Sequence, residues 1–79
     1  MSPRIPLVSS RKALAALKRL GFEEARREGS HVTLIRERVG GGKDVTVLID
    51  AKGEIPRWTL KSTLELGRVT VEEFTSALR

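Results

Sequence analysis

The chain offers one side chain suited to proton transfer near neutral pH, because it has a single histidine and no cysteine. Histidine is the residue type that gains or loses a proton in that range. His31 follows Gly29 and Ser30, and a glycine lets the backbone approach a ligand closely. The sequence therefore favours His31 as a candidate catalytic residue, with a purely structural histidine on a strand as the alternative.

Basic side chains are the second feature that could do chemistry. Fifteen Lys and Arg against ten Asp and Glu give a formal net charge of +5, which attracts polyanions such as nucleic acid. Arg57 and Lys61 lie four residues apart on one predicted helix face, Arg36 and Arg38 lie on a predicted strand, and Lys52 lies in the turn between them. We expect these residues to form one phosphate-binding surface if the folded chain brings them together. Scattered, solvated charges are the alternative.

Several classes of protein are disfavoured by the composition. The absence of cysteine excludes disulfides, thiolate metal sites and cysteine nucleophiles, and it suits a reducing cytoplasm. One histidine and scattered carboxylates such as Asp44, Asp50 and Glu54 do not form a metal-binding pattern, so we expect neither metal nor cofactor. No apolar run is long enough for a membrane span or a secretory signal. The glycines at 40–42 predict a turn rather than a phosphate-binding loop.

Hydrophobic periodicity predicts the elements that must position His31. Ser9 or Ser10 can cap a helix with Ala13, Leu17 and Leu20 on one stripe, and Gly21 closes it. Residues 22–27 predict a weak strand at a sheet edge. Residues 31–38 predict a strand with His31 at its mouth, and Val45, Val47 and Ile49 alternate along a returning strand.

The C-terminal third predicts two further helices. Pro56 lies just before the first, in which Leu60 and Leu64 face inward, and Gly67 ends it. Thr70 and Glu73 form a capping box for the second, whose inner face carries Val71, Phe74 and Leu78, and Val69 can pack against Phe74. The order α-β-β-β-α-α predicts an α+β fold with helices on one face of a three-stranded antiparallel sheet. We expect one domain over residues 1–79, with an extended N-terminal lead-in at 1–8.

Five segments, in this order and spacing, resemble the HicA toxin family, also called YcfA-like. They are residues 17–22 (LKRLGF), 28–32 (EGSHV), 45–47 (VTV), 55–64 (IPRWTLKSTL) and 71–74 (VEEF), with a similar lead-in at 5–9 (IPLVS). The chain departs from the family pattern in three places. Asp50 stands where many members have a second histidine, Trp58 replaces a glycine, and Glu65-Leu66-Gly67 replaces Gln-Ala-Gly.

The resemblance implies a fold like the double-stranded RNA-binding domain and a metal-independent endoribonuclease that cleaves mRNA. It implies that His31 of the Gly29-Ser30-His31 motif is catalytic. From the glycine turn and the charge pattern, we expect the RNA-binding residues to be Gly29, Ser30, Arg36, Lys52, Arg57 and Lys61. The resemblance also implies a HicB-like antitoxin protein that covers the active site in the cytoplasm of a bacterium or archaeon.

Under this hypothesis neutral His31 takes the proton of an RNA 2′-hydroxyl, whose oxygen attacks the adjacent phosphate. Two other functions fit the same residues. One is a non-catalytic RNA-binding module of the double-stranded RNA-binding type, which reads the shape of a duplex. The other is an interaction protein whose basic surface binds an acidic partner.

Overall fold

The computed structural model describes residues 4–78 and confirms the predicted α+β fold. The elements follow in the order α-β-β-β-α-α, and the three strands form one antiparallel sheet. Their bounds are α1 (Ser10–Arg19), β1 (Glu23–Glu28), β2 (His31–Glu37), β3 (Lys43–Ile49), α2 (Arg57–Leu66) and α3 (Val71–Ala77). No helix among the described residues is long and apolar enough to cross a bilayer.

Local sequence fixes both ends of α1. The Ser9 side chain accepts a hydrogen bond from the backbone N–H of Lys12 at 3.2 Å, so Ser9 is the N-cap. At the other end Gly21 has a φ of 103°, and the Phe22 N–H donates to the Leu17 carbonyl at 3.1 Å. This is a Schellman motif, which needs a residue without a Cβ at the position of Gly21.

The sheet has the order β1-β2-β3, with β2 in the centre. β1 carries a bulge between Glu24 and Arg26, and all six of its residues are exposed. The predicted edge strand is therefore confirmed, shifted by one residue. Gly29 and Ser30 join β1 to β2, and only Gly29 of the two has a positive φ (58°), the pattern of a type II′ turn.

The two faces of the sheet differ in what covers them. The inner face of β2 and β3 carries Val32, Leu34 and Leu48, all completely buried beneath the helices. The apolar alternation of Val45, Val47 and Ile49 lies on the other face, where Val45 and Ile49 are 43% and 37% exposed. Sequence periodicity thus predicted β3 correctly, but the apolar set of β3 lies on the open face of the sheet.

Contacts between α2 and β3 hold the helix against the inner face. The Thr46 hydroxyl donates to the Thr63 carbonyl at 2.6 Å, and the Thr63 hydroxyl donates to the Val47 carbonyl at 2.9 Å. At the end of α2, a Cβ on Gly67 would lie 3.1 Å from the Thr46 Cβ and 3.2 Å from the Phe22 Cζ. The residue at the end of α2 is therefore a glycine because Thr46 and Phe22 leave no room for a Cβ there.

α3 closes the core from the C-terminal side. The predicted capping box is present, since the Thr70 hydroxyl accepts from the Glu73 N–H at 3.1 Å and the Glu73 carboxylate accepts from the Thr70 N–H at 3.0 Å. Phe74 is completely buried and Val69 nearly so. The lead-in has neither helix nor strand over residues 4–8, and residues 1–3 of the predicted lead-in lie outside the described residues.

Candidate functional site

His31 is exposed at the first position of β2, directly after the Gly29-Ser30 turn. Its cross-strand partners are Glu28 on β1 and Ile49 on β3. Because side chains alternate along a strand, His31 lies on the open face of the sheet, on the side away from Val32 and Leu34. The imidazole therefore stands at one end of the sheet, where a ligand can reach it.

The strand ends around His31 are held in place by backbone and ionic contacts. The Asp50 N–H donates to the Ser30 carbonyl at 2.6 Å, which ties the end of β3 to the turn before His31. The Asp50 carboxylate lies 2.8 Å from Arg27 Nη1, and Arg27 also binds Glu24 at 2.9 Å. Side-chain hydrogen bonds raise the pKa of Arg27, the bond to Glu24 more than the bond to Asp50. Asp50 is thus an anchor for β1 in this structure.

The segment after β3 brings the starts of α1 and α2 to the same end. The Ser10 hydroxyl hydrogen-bonds the backbone of Ala51, and the Ile55 N–H donates to the Val8 carbonyl at 2.9 Å. Lys52 lines a small groove of about 220 Å³ together with Ile49, the cross-strand partner of His31, and Thr59 of α2. Lys52 therefore lies beside the histidine end of the sheet.

Arg57 and Lys61 extend this basic region along α2. Both side chains are exposed, and Arg57 Nε donates to the Ile5 carbonyl at 2.9 Å. That bond fixes the guanidinium at the start of the helix without using its terminal NH₂ groups. Neither side chain forms an ion pair with any residue that the structure describes.

Arg11 and Lys12 are two further cations at this end that were not singled out as site residues. They occupy the first turn of α1, where the helix dipole favours acidic side chains. The first turns of α1 and α2 contain no acid, whereas the first turn of α3 has Glu72 and Glu73. The sequence signal for Arg11 and Lys12 is their position directly after the serines that can cap α1. We call Arg11, Lys12, Lys52, Arg57 and Lys61 the basic end.

The structure places Arg36 away from this group. Arg36 lies five residues along β2 from His31, about 16 Å at the usual rise per residue, and on the opposite face. Its Nη2 and Nε lie 2.9 and 3.3 Å from Asp44 Oδ2, and its guanidinium carbon lies 4.6 Å from the centroid of the Phe22 ring. Arg38 Nε lies 3.3 Å from Asp44 Oδ1. The two strand arginines are therefore separated from His31, whereas Lys52 lines the groove beside Ile49, and Arg57 and Lys61 line a different groove along α2.

This end also carries the carboxylates of Glu28, Asp50 and Glu54. Within residues 4–78, no three His, Asp or Glu side chains gather into a group that could hold a metal ion. What the arrangement can do is present an exposed imidazole beside several cations on a surface that any extended polyanion can reach.

Comparison with known proteins identifies the class of protein to which this chain belongs. A family model described as the HicA toxin of bacterial toxin–antitoxin systems matches residues 10–67, which include α1, the whole sheet and α2. A comparison with curated proteins finds no match. The chain belongs to the HicA toxin family, so it has the role of a toxin and a HicB-type antitoxin as its partner.

Proposed function

We propose that this toxin is a metal-independent endoribonuclease that cleaves mRNA and uses His31 as its catalytic base. The observation that carries the proposal is the exposure of the chain's single histidine at the end of the sheet where α1, α2 and the segment after β3 begin. The cations of the basic end form no ion pair with any residue from 4 to 78. Phosphates attract such cations, and an RNA strand brought there places a 2′-hydroxyl within reach of an exposed imidazole.

In the proposed reaction the neutral His31 imidazole removes the proton from a 2′-hydroxyl. The 2′-oxygen attacks the adjacent phosphorus, and the bond to the 5′-oxygen breaks. Lys52, which lines the groove beside Ile49, stabilises the charge that grows on the phosphate oxygens. The departing 5′-oxygen takes a proton in turn, and the donors open to it are the imidazolium of His31, a lysine and water. The products are a 2′,3′-cyclic phosphate and a free 5′-hydroxyl.

Gly29 and Ser30 support this role through the backbone. Their two-residue turn exposes the chain immediately before His31, and Gly29 has no atom within 4 Å of the place where a Cβ would stand. The space beside Gly29 is therefore open, and a phosphate can lie against the backbone of this turn. We assign Gly29 and Ser30 to RNA contact and Arg36 to the stability of the fold.

The antitoxin would protect the cell by covering His31. Val45 and Ile49, both partly exposed, continue the open face of the sheet beside the histidine. A partner that buries this apolar strip also excludes RNA from the imidazole. The proposed setting is the cytoplasm of a bacterium or archaeon, where mRNA and antitoxin are both present.

The test is cleavage of a labelled RNA strand by the purified chain in EDTA, with His31→Ala and Lys43→Ala as paired variants. Lys43 is exposed at the far end of β3 and serves as the control for loss of a surface side chain. We expect the wild type and Lys43→Ala to cut RNA but not DNA of the same sequence, because DNA lacks the 2′-hydroxyl.

His31→Ala should lower the cleavage rate by at least about 100-fold, the usual contribution of a general base. Mass spectrometry of the wild-type products should show the cyclic phosphate. Full activity of His31→Ala, or cleavage of the DNA strand, contradicts the mechanism. RNA that binds the wild type and stays intact would instead favour the non-catalytic binding module.

A further inference from the structure

Trp58 is exposed on the second residue of α2, beside the cations of the basic end. Its side chain is 75% exposed, although it is the largest apolar residue in the chain and the only tryptophan. An exposed aromatic ring is available for binding, and burying it contributes strongly to association. The fold itself does not use this ring, because the inner face of α2 is made by Leu60 and Leu64.

The indole borders a groove of about 500 Å³ between α2, the lead-in and the start of α3. Ile5 and Val69 are among the apolar residues that line it, and Arg57 and Lys61 line the end nearest the start of α2. The carboxylates that line it, Glu65 and Glu72, belong to the end of α2 and the start of α3. Along α2 the groove therefore presents its two cations before its carboxylate Glu65, and Glu72 adds a second carboxylate from the start of α3.

This distribution of charge fits one nucleotide better than a continuous polyanion. A phosphate is attracted to the terminal nitrogens of Arg57 and to Lys61, while the carboxylates repel a phosphate at the other end. Trp58 lies between Arg57 and Lys61 in the sequence of α2 and lines the same groove, so its indole offers a flat surface for a nucleobase beside these two cations. Nucleobases stack on exposed indoles, and they do so irrespective of sequence because every base has a π-face.

We propose that Trp58 is a stacking platform for one unpaired nucleobase of a single-stranded RNA, whose flanking phosphate binds Arg57 and Lys61. The inference rests on the proposed ribonuclease function and narrows its substrate class. A base in a duplex is stacked between its neighbours and is not free to lie on the indole. The strand that this chain binds must therefore be single-stranded at α2.

The experiment uses the wild-type chain and a short 2′-O-methyl RNA strand, which cannot be cut through its 2′-oxygen. Two signals are read separately in one titration. Anisotropy of a dye on the RNA reports binding, and emission of Trp58 reports stacking, because the chain has no tyrosine and no other tryptophan. The same strand annealed to its complement is the duplex probe.

Matched variants are Trp58→Ala, Trp58→Phe and Leu66→Ala. Leu66 is 60% exposed on the same helix but does not line the groove, so it controls for loss of an exposed apolar side chain. We expect the single strand to quench Trp58 emission and Trp58→Ala to weaken its binding by about 5- to 100-fold, the range for one stacked base. Trp58→Phe should recover much of that loss, and Leu66→Ala should bind like the wild type.

Three results overturn the inference. If the single strand binds but neither quenches Trp58 nor binds Trp58→Ala more weakly, the platform is refuted, the ribonuclease proposal stands, and the indole is left for a protein partner. If the duplex quenches Trp58 and loses affinity in Trp58→Ala to the same extent, the requirement for a single strand is refuted. If neither probe raises the anisotropy, the RNA-binding function fails together with the inference.

Discussion

Replacing Arg36 by methionine tests whether this arginine stabilises the fold or binds RNA. Methionine keeps an unbranched apolar stem beside Phe22 but removes the guanidinium from Asp44, whose side chain is only 3% exposed. We expect the variant to lose stability, because a buried carboxylate is left without its main partner. The folded fraction should bind and cut RNA as the wild type does, since Arg36 lies on the opposite face from His31.

The size of the loss follows from the contacts. A hydrogen bond to a charged group contributes about 1.5–3 kcal/mol, and the cation–π contact over Phe22 adds about 0.5–1 kcal/mol. Arg38 stays within 3.3 Å of Asp44 Oδ1 and offsets part of the loss. We therefore expect the free energy of unfolding to fall by about 2–3 kcal/mol, which lowers Tm by about 10–20 °C in a domain of this size.

Urea unfolding followed by far-UV circular dichroism measures this loss, and RNA affinity is measured at a temperature where both chains are folded. Arg38→Met is the matched control. Its side chain is 43% exposed, so removing its ion pair should change the free energy of unfolding by less than about 1 kcal/mol. An Arg36→Met chain that unfolds at the wild-type urea concentration and binds RNA more weakly would refute this assignment and return Arg36 to the RNA-binding surface.

Two further predictions concern the basic end and the packing of α2. Lys52→Ala should weaken RNA binding for all sequences and lower the slope of log K against log salt by about one, whereas Lys43→Ala should leave the slope unchanged; equal slopes for the two variants would contradict a phosphate contact at Lys52. Gly67→Ala should lower the free energy of unfolding by about 1–3 kcal/mol in urea titrations, because its Cβ would crowd Thr46 and Phe22; a Gly67→Ala chain as stable as the wild type would show that the sheet yields there.

Sequence alone was most informative where structure depends on near neighbours. The serine cap and glycine closure of α1 and the capping box of α3 involve groups within five residues of one another, and all are present. The alternation of Val45, Val47 and Ile49 likewise predicted β3. It did not reveal which face is buried, since that depends on partners elsewhere in the chain. Thr46 can be buried only because the Thr63 carbonyl accepts a hydrogen bond from its hydroxyl.

The candidate site shows the same division. The position of His31 at the start of a strand follows from the glycine turn before it, and the family resemblance drew attention to it. The exclusion of Arg36 depends on strand register, because Arg36 faces Asp44 only in the pairing that the hairpin adopts. A slip of one residue would move the carboxylate to the other face of the sheet. No local pattern predicts that choice for a charged pair.

β1 has a consequence for how the free toxin behaves in solution. A strand at the edge of a sheet is a template on which another chain can pair, and such pairing leads to aggregation. The sequence of β1 is EEARRE, and all six of its residues are exposed. A bulge between Glu24 and Arg26 bends the strand. Charge and curvature together make this edge a poor template, so released toxin should not polymerise along β1, and pairing between toxin molecules is left to the other edge strand, β3.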